Sequence, residues 1–288
     1  MPFTRLTSGI FSGLALLSLS IAPAYAARPH PKAPKSLRLY VFDCGTIKGL
    51  RVTQFGFKDG EVPARDFVVP CYLVVHRKGT LIWDTGVIPD KDFKADGAPV
   101  TQGISTVRKP FLPQLARVGY APGDIRYLAL SHYQTDHDAN ANSFAYATWL
   151  VRKEERDVMF AEKPQGIMQP SHYNELRNAK TTIIDTDEFD VFGDKSVIIK
   201  SAPGHTPGHQ VLLVKLKQTG PILVAGDLYH YPEEKTFNRF PTFEYNKEIS
   251  AKSRAAIDEY LKKTHAQMWI EHDQATFDKL KKAPAFYE

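Results

Sequence analysis

The sequence predicts an α/β fold in which β-sheets pack together and are covered by helices. Short apolar runs with strand character recur through both halves of the chain, and amphipathic helical segments such as residues 250–263 lie between them. No short-period repeat and no linker divides the chain. Because a sheet with an apolar face must bury it against another layer, this pattern favours stacked sheets with helices outside.

Each predicted element follows from local composition. Residues 71–76 and 80–83 are apolar runs separated by the Gly-containing turn "RKGT", which indicates a hairpin. Residues 87–105 lack periodicity and are expected to form a loop, whereas residues 107–118 carry apolar side chains at helical spacing and end at Gly119. The remaining predicted strands are 37–42, 126–130, 181–184, 196–201, 211–216, 222–225 and 267–270, and the remaining helices are 250–263 and 274–281.

The first 26 residues have the pattern of a secretory signal peptide. Arg5 is their only charge, an apolar run follows over residues 9–22, and Ala24-Tyr25-Ala26 forms a small-x-small cleavage site. A membrane anchor is the alternative, but the run is shorter than the roughly 20 apolar residues that a span requires. We therefore expect a signal peptide over 1–26, a Pro-rich disordered lead-in over 27–36 and one domain over 37–288.

Composition narrows the classes of protein further. The formal charge of +5 becomes +4 after removal of Arg5, and no dense basic block is interleaved with aromatic residues, so nucleic-acid binding is not expected. We expect a periplasmic or secreted protein without a membrane segment after cleavage. Cys44 and Cys71 could pair in such an oxidising compartment, or they could be two small buried apolar residues.

Residues of the types that commonly bind metals follow four of the predicted strands. The stretch "SHYQTDH" after 126–130 contains His132, Gln134, Asp136 and His137. The other three stretches are "PGHTPGH" with His205, "GDLYHY" with Asp227 and "EHD" with His272. Loops at one edge of a sheet are positions where a rigid scaffold holds reactive groups. Imidazole and carboxylate ligands suit zinc and similar divalent ions, so the four stretches together predict a metal site.

These motifs resemble those of the metallo-β-lactamase superfamily and, within it, the N-acyl homoserine lactone hydrolases. The resemblance runs from "CYLVVHRKGTLIWDTG" through "LALSHYQTDHDAN" and "SAPGHTPGHQVLLVKL" to "GPILVAGDLYH" and "IEHD", and it covers nearly all of the chain after residue 26. The four motifs occur in the family's order. The resemblance implies a four-layer αβ/βα sandwich with a two-metal site at one edge.

The resemblance also implies a role for each ligand. His132, position 134 and His205 would hold a first metal, Asp136, His137 and His272 a second, and Asp227 would bridge both. The metal would be zinc (Zn2+), with one or two ions per chain. Asp84 would support the site without binding metal, and His209 would be structural. His30, His76, His172 and His265 match no motif and are expected to be ordinary tail, surface or core residues.

Two positions depart from the family's pattern. Gln134 stands where the family has histidine, and its uncharged carboxamide oxygen suits harder ions better than zinc. We therefore expect a tight second site and a weakened first site. The family's substrate-contacting tyrosine, three residues after the bridging aspartate, is replaced by His230, which we expect to act as a donor to the substrate.

The resemblance implies a metal-dependent hydrolase that opens a lactone ring, with Asp136, Asp227 and His230 as catalytic residues and N-acyl homoserine lactones as small-molecule substrates. Asp136 would carry a proton to the leaving oxygen, and residues 87–111, with Phe93, Ile104 and Phe111, could wall an acyl chain. Two alternatives remain: a β-lactamase or another ester or phosphodiester hydrolase of the same fold, and a catalytically silent metal-binding member.

We expect the exported form to begin at Ala27, because the cleavage site ends at Ala26. N-terminal sequencing of protein recovered from the periplasm or medium measures this directly. An intact Met1 on protein retained in the cytosol would contradict the expectation.

Overall fold

Two β-sheets packed face to face, with helices on both outer faces, form the fold. The computed structural model describes Met1, residues 31–163 and residues 166–288. Pro31–Glu288 form one compact unit. The expected signal peptide after Met1, and residues 27–30 of the expected lead-in, lie outside the described residues. None of the described helices has the length and apolar character needed to span a membrane.

Thirteen strands and six α-helices form within the described residues. The strands are β1 (Arg38–Ile47), β2 (Phe67–His76), β3 (Gly79–Trp83), β4 (Val100–Gln102), β5 (Ser105–Val107), β6 (Tyr127–Ala129), β7 (Thr148–Val151), β8 (Thr181–Ile183), β9 (Glu188–Asp190), β10 (Val197–Ser201), β11 (Gln210–Leu216), β12 (Gly220–Val224) and β13 (Gln267–Trp269). The helices are α1 (Phe111–Arg117), α2 (Thr135–Asp138), α3 (Lys153–Met159), α4 (Pro232–Phe237), α5 (Lys247–Thr264) and α6 (Gln274–Lys279). The first sheet has the order β4-β5-β1-β2-β3-β6-β7-β8, and the second has the order β13-β12-β11-β10-β9.

Alternating side chains place the core on both faces of each sheet. In β1, Leu39 and Val41 pack between the two sheets, whereas Tyr40 and Phe42 pack on the outer face of the first sheet. The outer core of the first sheet includes Phe111 and Leu115 of α1, and that of the second sheet includes Ile257 and Tyr260 of α5. These three apolar layers separate four layers of secondary structure, which confirms the expected αβ/βα sandwich.

The sequence misplaced elements around residue 107. Val107 ends strand β5, and Pro110 precedes the helix, so α1 begins at Phe111 and not at residue 107. The expected loop over 87–105 contains β4, which pairs with β5. Phe111 is 1% exposed and packs against Phe42 and Phe144, so it cannot wall a substrate pocket.

A disulfide bond joins Cys44 of β1 to Cys71 of β2. Both residues are buried, and the Cβ of Cys44 lies 3.0 Å from the Cβ that a side chain at Gly86 would have. Gly86 also has φ +92°, a conformation that favours glycine. The crosslink therefore lies beneath the turn that follows β3.

We expect the double variant Cys44→Ala/Cys71→Ala to lose about 3–4 kcal/mol of unfolding free energy, because the bond closes a loop over a separation of 27 residues. Urea unfolding of the variant and of the oxidised and reduced native chain measures this loss. The reduced native chain should unfold at nearly the same urea concentration as the variant. A loss below about 1 kcal/mol would contradict the expected role of the crosslink.

Candidate metal centre

Parallel strands bring the candidate ligands to one edge of the sandwich. In the first sheet β3 pairs in parallel with β6, and in the second sheet β12 pairs in parallel with β13. Asp84 directly follows β3, and His132 lies shortly after β6. Asp227 and His272 occupy similar positions after β12 and β13. Both sheets thus contribute residues to a single site.

Asp227 lies at the centre of this site and is 2% exposed. Its two carboxylate oxygens face different groups of imidazoles. Oδ1 lies 3.1 Å from Nε2 of His137 and 3.0 Å from Nε2 of His272. Oδ2 is surrounded by three Nε2 atoms, at 2.9 Å for His230, 3.4 Å for His205 and 3.6 Å for His132.

Asp136 completes the group on the Oδ1 side. Its Oδ2 atom lies 3.6 Å from Nε2 of His137 and 3.5 Å from Nε2 of His272. Asp136, His137 and His272 therefore offer one ligand atom each within 4.8 Å of one another. On the Oδ2 side, His205, Asp227 and His230 form a second such group, and a third group, His132, His137 and Asp227, includes residues from both sides.

Gly226 and His209 fix the position of Asp227. Gly226 has φ +52°, and a Cβ there would lie 2.6 Å from Nε2 of His209, so only glycine fits. His209 donates from Nδ1 to the carbonyl of Ala202 (2.9 Å) and accepts the amide hydrogen of Asp227 at Nε2 (3.0 Å). Burial, and then His205, lower the pKa of His209 to about 3, so its ring is neutral. His209 thus holds the backbone and has no nitrogen left for a metal.

The central charges depend on one another. Burial alone would raise the pKa of Asp227, but His272, His137 and His230 hold it well below its ordinary value. Burial alone would lower the pKa of His230, but Asp227 and Glu234 raise it to about 10. A carboxylate at this depth is stable only because cationic or donor groups surround it.

Two further acids support the site from below. Asp84, held at φ 54°, accepts from Nδ1 of His137 (2.9 Å) and from the amide of Ser131 (2.6 Å). This matches the supporting role expected for Asp84, because a carboxylate partner orients a metal-binding imidazole. Glu271 accepts the amide hydrogen of Gly226 (3.1 Å), and burial followed by repulsion from Asp84 raises its pKa well above the ordinary value.

Several converging atoms have no hydrogen bond of adequate geometry within the described residues. They are Nε2 of His132, His137 and His205, and Oδ1 of Asp227. Buried polar atoms normally have partners, and a divalent cation would give these atoms one. Three imidazole or carboxylate donors on each side match the ligand chemistry of zinc. The residues present therefore fit a metal centre.

Gln134 occupies the N-cap position of α2, between His132 and Asp136, and is 7% exposed. The structure thus brings the other six candidate ligands together around Asp227 and Asp136, and their binding of metal stays a prediction. Histidines without a motif lie elsewhere: His76 pairs with Asp194, and His172 pairs with Asp138.

Motif reasoning missed several acids that position the ligand loops. Glu155, Glu234 and Glu244 lie in no motif, yet each contacts the site's loops from another element. These glutamates differ from ordinary surface glutamates only in that their side chains are buried. The spacing of residues in the sequence does not show which glutamate is buried.

The fold and this two-sided site define the class of protein. The sequence profile of the metallo-beta-lactamase superfamily matches residues 64–266, and the chain belongs to that superfamily. Among its relatives, the chain is 26% identical over 271 residues to the N-acyl homoserine lactonase AttM of Azorhizobium caulinodans. This alignment covers 88% of the chain and 99% of the relative.

Solved structures show the same fold. An N-acyl homoserine lactone hydrolase with the product N-hexanoyl-L-homoserine bound at its catalytic metal centre superposes with a TM-score of 0.71 at 23% identity, covering 87% of this chain and 99% of that one. AidC, a dizinc quorum-quenching lactonase, superposes with a TM-score of 0.65 at 20% identity, covering 88% and 94% of the two chains.

Glu155 of α3 joins the two histidine-bearing loops. Its Oε1 accepts the amide hydrogen of Tyr133, and its Oε2 accepts that of Gly208, each at 2.8 Å. The hydroxyl of Thr206 donates to both oxygens. Burial raises the pKa of Glu155 to about 7, although these donors favour the charged form.

We expect Glu155→Ala to lower the free energy of unfolding by at least about 2 kcal/mol, because two buried amides lose their acceptor. The matched control is Glu154→Ala, which removes an exposed glutamate from the same helix and should change stability by less than about 0.5 kcal/mol. Urea unfolding of both variants in the presence of a chelator separates this effect from metal binding. Equal stability of the two variants would contradict it.

Proposed function

We propose that this protein is a metal-dependent hydrolase that opens the ring of N-acyl homoserine lactones. The observation that carries the proposal is Asp227, which presents one carboxylate oxygen to each of two groups of imidazoles. Alignment with 99% of the length of a homoserine lactonase supports the choice of substrate among the reactions this fold serves.

We propose zinc as the metal, with one or two ions per chain. When bound, a divalent ion lowers the pKa of water to about 7 and polarises the carbonyl to be attacked. The chain's own residues fix where this happens. Asp136, His137 and His272 would hold one ion, and His132 and His205 would hold the other, with Asp227 between them.

Asp136 is the residue that we propose moves the proton. Its Oδ2 atom faces His137 and His272, and the residue is 8% exposed. Its Oδ1 atom would take a proton from the attacking water and pass it to the ring oxygen as the ester bond breaks. The hydroxyl of the open product leaves with that proton.

An apolar contact for the acyl chain lies beside the cluster. Phe243 is 41% exposed and meets the rings of His205 and His230 edge-on, with centroids 5.8 and 5.9 Å apart. It replaces Phe111 as the proposed wall, because Phe111 is in the core. Ile104, 54% exposed, lies in the turn between β4 and β5.

We also propose that the protein acts outside the cytoplasm, in the periplasm or medium. The signal-peptide pattern of residues 1–26 supports this location, and the disulfide between Cys44 and Cys71 is compatible with an oxidising compartment.

A substrate panel with measured metal content tests the proposal. Zinc-loaded protein should open N-acyl homoserine lactones at rates well above those for a β-lactam, an aryl ester and a phosphodiester. Faster cleavage of one of the other three would replace the proposed substrate class. Full metal content without hydrolysis of any of them would indicate the silent member.

We expect Asp227→Ala to lose more metal and more lactone hydrolysis than His209→Ala. Asp227 contacts both groups of imidazoles, whereas the ring nitrogens of His209 are used by the carbonyl of Ala202 and the amide of Asp227. Removing the shared carboxylate leaves two cations facing each other with less compensating charge. Metal per chain and initial rate are measured for both. A greater loss in His209→Ala would show that the wrong histidine has been placed outside the site.

A further inference from the structure

The Oδ2 side of Asp227 holds three imidazoles although the motif at 132–137 has lost one. The Nε2 atoms that face Oδ2 belong to His132, His205 and His230. The first two are expected from the family's motif, and His230 is not. Gln134 is the motif position without an imidazole. The Oδ2 side therefore has three imidazoles, which is the number that the family's motifs supply when position 134 is histidine.

The distances around Oδ2 suit ligands of one ion. Two ligands of a tetrahedral zinc, each about 2.0–2.1 Å from the metal, lie about 3.3–3.4 Å apart. Nε2 of His205 lies 3.4 Å from Oδ2, and that of His132 lies 3.6 Å away. Nε2 of His230, at 2.9 Å, needs to move outward by about half an ångström to reach this spacing.

His230 has a carboxylate near its second ring nitrogen, as the other candidate histidines have a polar group near theirs. Metal-binding histidines usually have the second ring nitrogen held by a carboxylate, a carbonyl or another fixed group, which directs the first nitrogen at the metal. Nδ1 of His230 lies 3.4 Å from Oε1 of Glu234, which is within ion-pair distance but without hydrogen-bond geometry. The other four have Nδ1 held by Asp84 for His137 (2.9 Å), the Val68 carbonyl for His272 (2.8 Å), Glu244 for His205 (3.4 Å) and the Ser131 hydroxyl for His132 (3.0 Å).

Glu234 is itself fixed, so this orientation is not accidental. The residue is fully buried and forms an ion pair with Arg254 of α5 at 2.5 Å. Its Oε1 atom also accepts the amide hydrogens of His230 (3.1 Å) and Tyr231 (3.2 Å). In His209, by contrast, Nε2 accepts the hydrogen of a backbone amide. Nε2 of His230 instead lies 2.9 Å from Oδ2 of Asp227, so it points at the shared carboxylate and not at the backbone.

The surroundings of His230 favour a ligand over a substrate donor. Its side chain is 3% exposed and packs against the rings of Phe55 and Phe67, with centroids 5.0 and 6.0 Å away. It stacks on His272 at 5.8 Å with an interplanar angle of 12°. With so little exposed surface, the ring presents Nε2 to Asp227 and offers little surface to a substrate.

We propose that His230 takes the place of the histidine missing at position 134, so that His132, His205, His230 and Asp227 hold the first metal. This inference rests on the proposed metal-dependent function and revises the expectation of a weakened first site. Gln134 then has no essential part in binding the ion.

Metal binding measured without reference to activity tests the inference. The native chain, His230→Asn and Gln134→Ala are stripped with a chelator and equilibrated with zinc at buffered free concentrations, and zinc per chain is counted. His230→Asn should keep one ion and bind the second more than about 100-fold more weakly, since even loss of an orienting partner costs 10–100-fold. Gln134→Ala should keep two ions with nearly native affinities.

The matched control is His76→Asn. His76 is also buried, pairs with Asp194 at 2.9 Å and stacks on Phe192 at 4.4 Å, but it lies at the opposite end of β2. It should bind two ions as the native chain does. Circular dichroism tests whether each variant is folded. If His230→Asn does not fold, His230→Gln, which keeps the side-chain length, is measured in its place.

The visible absorption of the cobalt-substituted chain gives a second readout, because its d–d bands report the ligands of each ion. The spectrum of the more weakly bound cobalt should change in His230→Asn and stay native in Gln134→Ala. Native affinities and spectra in His230→Asn, or loss of an ion in Gln134→Ala alone, would overturn the inference and leave the proposed function standing. Failure of the native chain to bind any zinc would instead overturn the proposed function.

Discussion

The charge balance around one buried carboxylate governs this structure. Asp227 is 2% exposed, and five imidazole nitrogens lie within 3.6 Å of its oxygens. An isolated anion at this depth would be strongly unfavourable, so the carboxylate and its imidazoles must come together as the chain folds. Gly226 and His209 set the backbone position from which both oxygens can be used.

Polar residues around the cluster hold its charged groups in these positions. Asp84 and Glu271 lie close to each other and to His137, and burial followed by repulsion from Asp84 raises the pKa of Glu271 well above its ordinary value. Glu155 ties the loop after β6 to the loop before β11. The site is thus held by polar groups that bind neither metal nor substrate.

Sequence patterns predicted the layers and the ligand positions because both depend on local order. A strand followed directly by His or Asp places that side chain at a sheet edge, as with Asp84 and His132. Contacts between distant segments have no such signature. Glu234 accepts the amide hydrogen of His230 and pairs with Arg254, which lies on a different helix. The start of α1 was misplaced because the apolar spacing at Val107 suited a helix as well as a strand.

The candidate ligands are divided between the two sheets: His132, Asp136 and His137 follow a strand of the first, and His205, Asp227, His230 and His272 follow strands of the second. Neither half of the chain carries a complete set. An ion bound here would join the two sheets, and its binding free energy would add to the stability of the folded protein. Supply of the metal would then govern the lifetime of the folded protein as well as its chemistry.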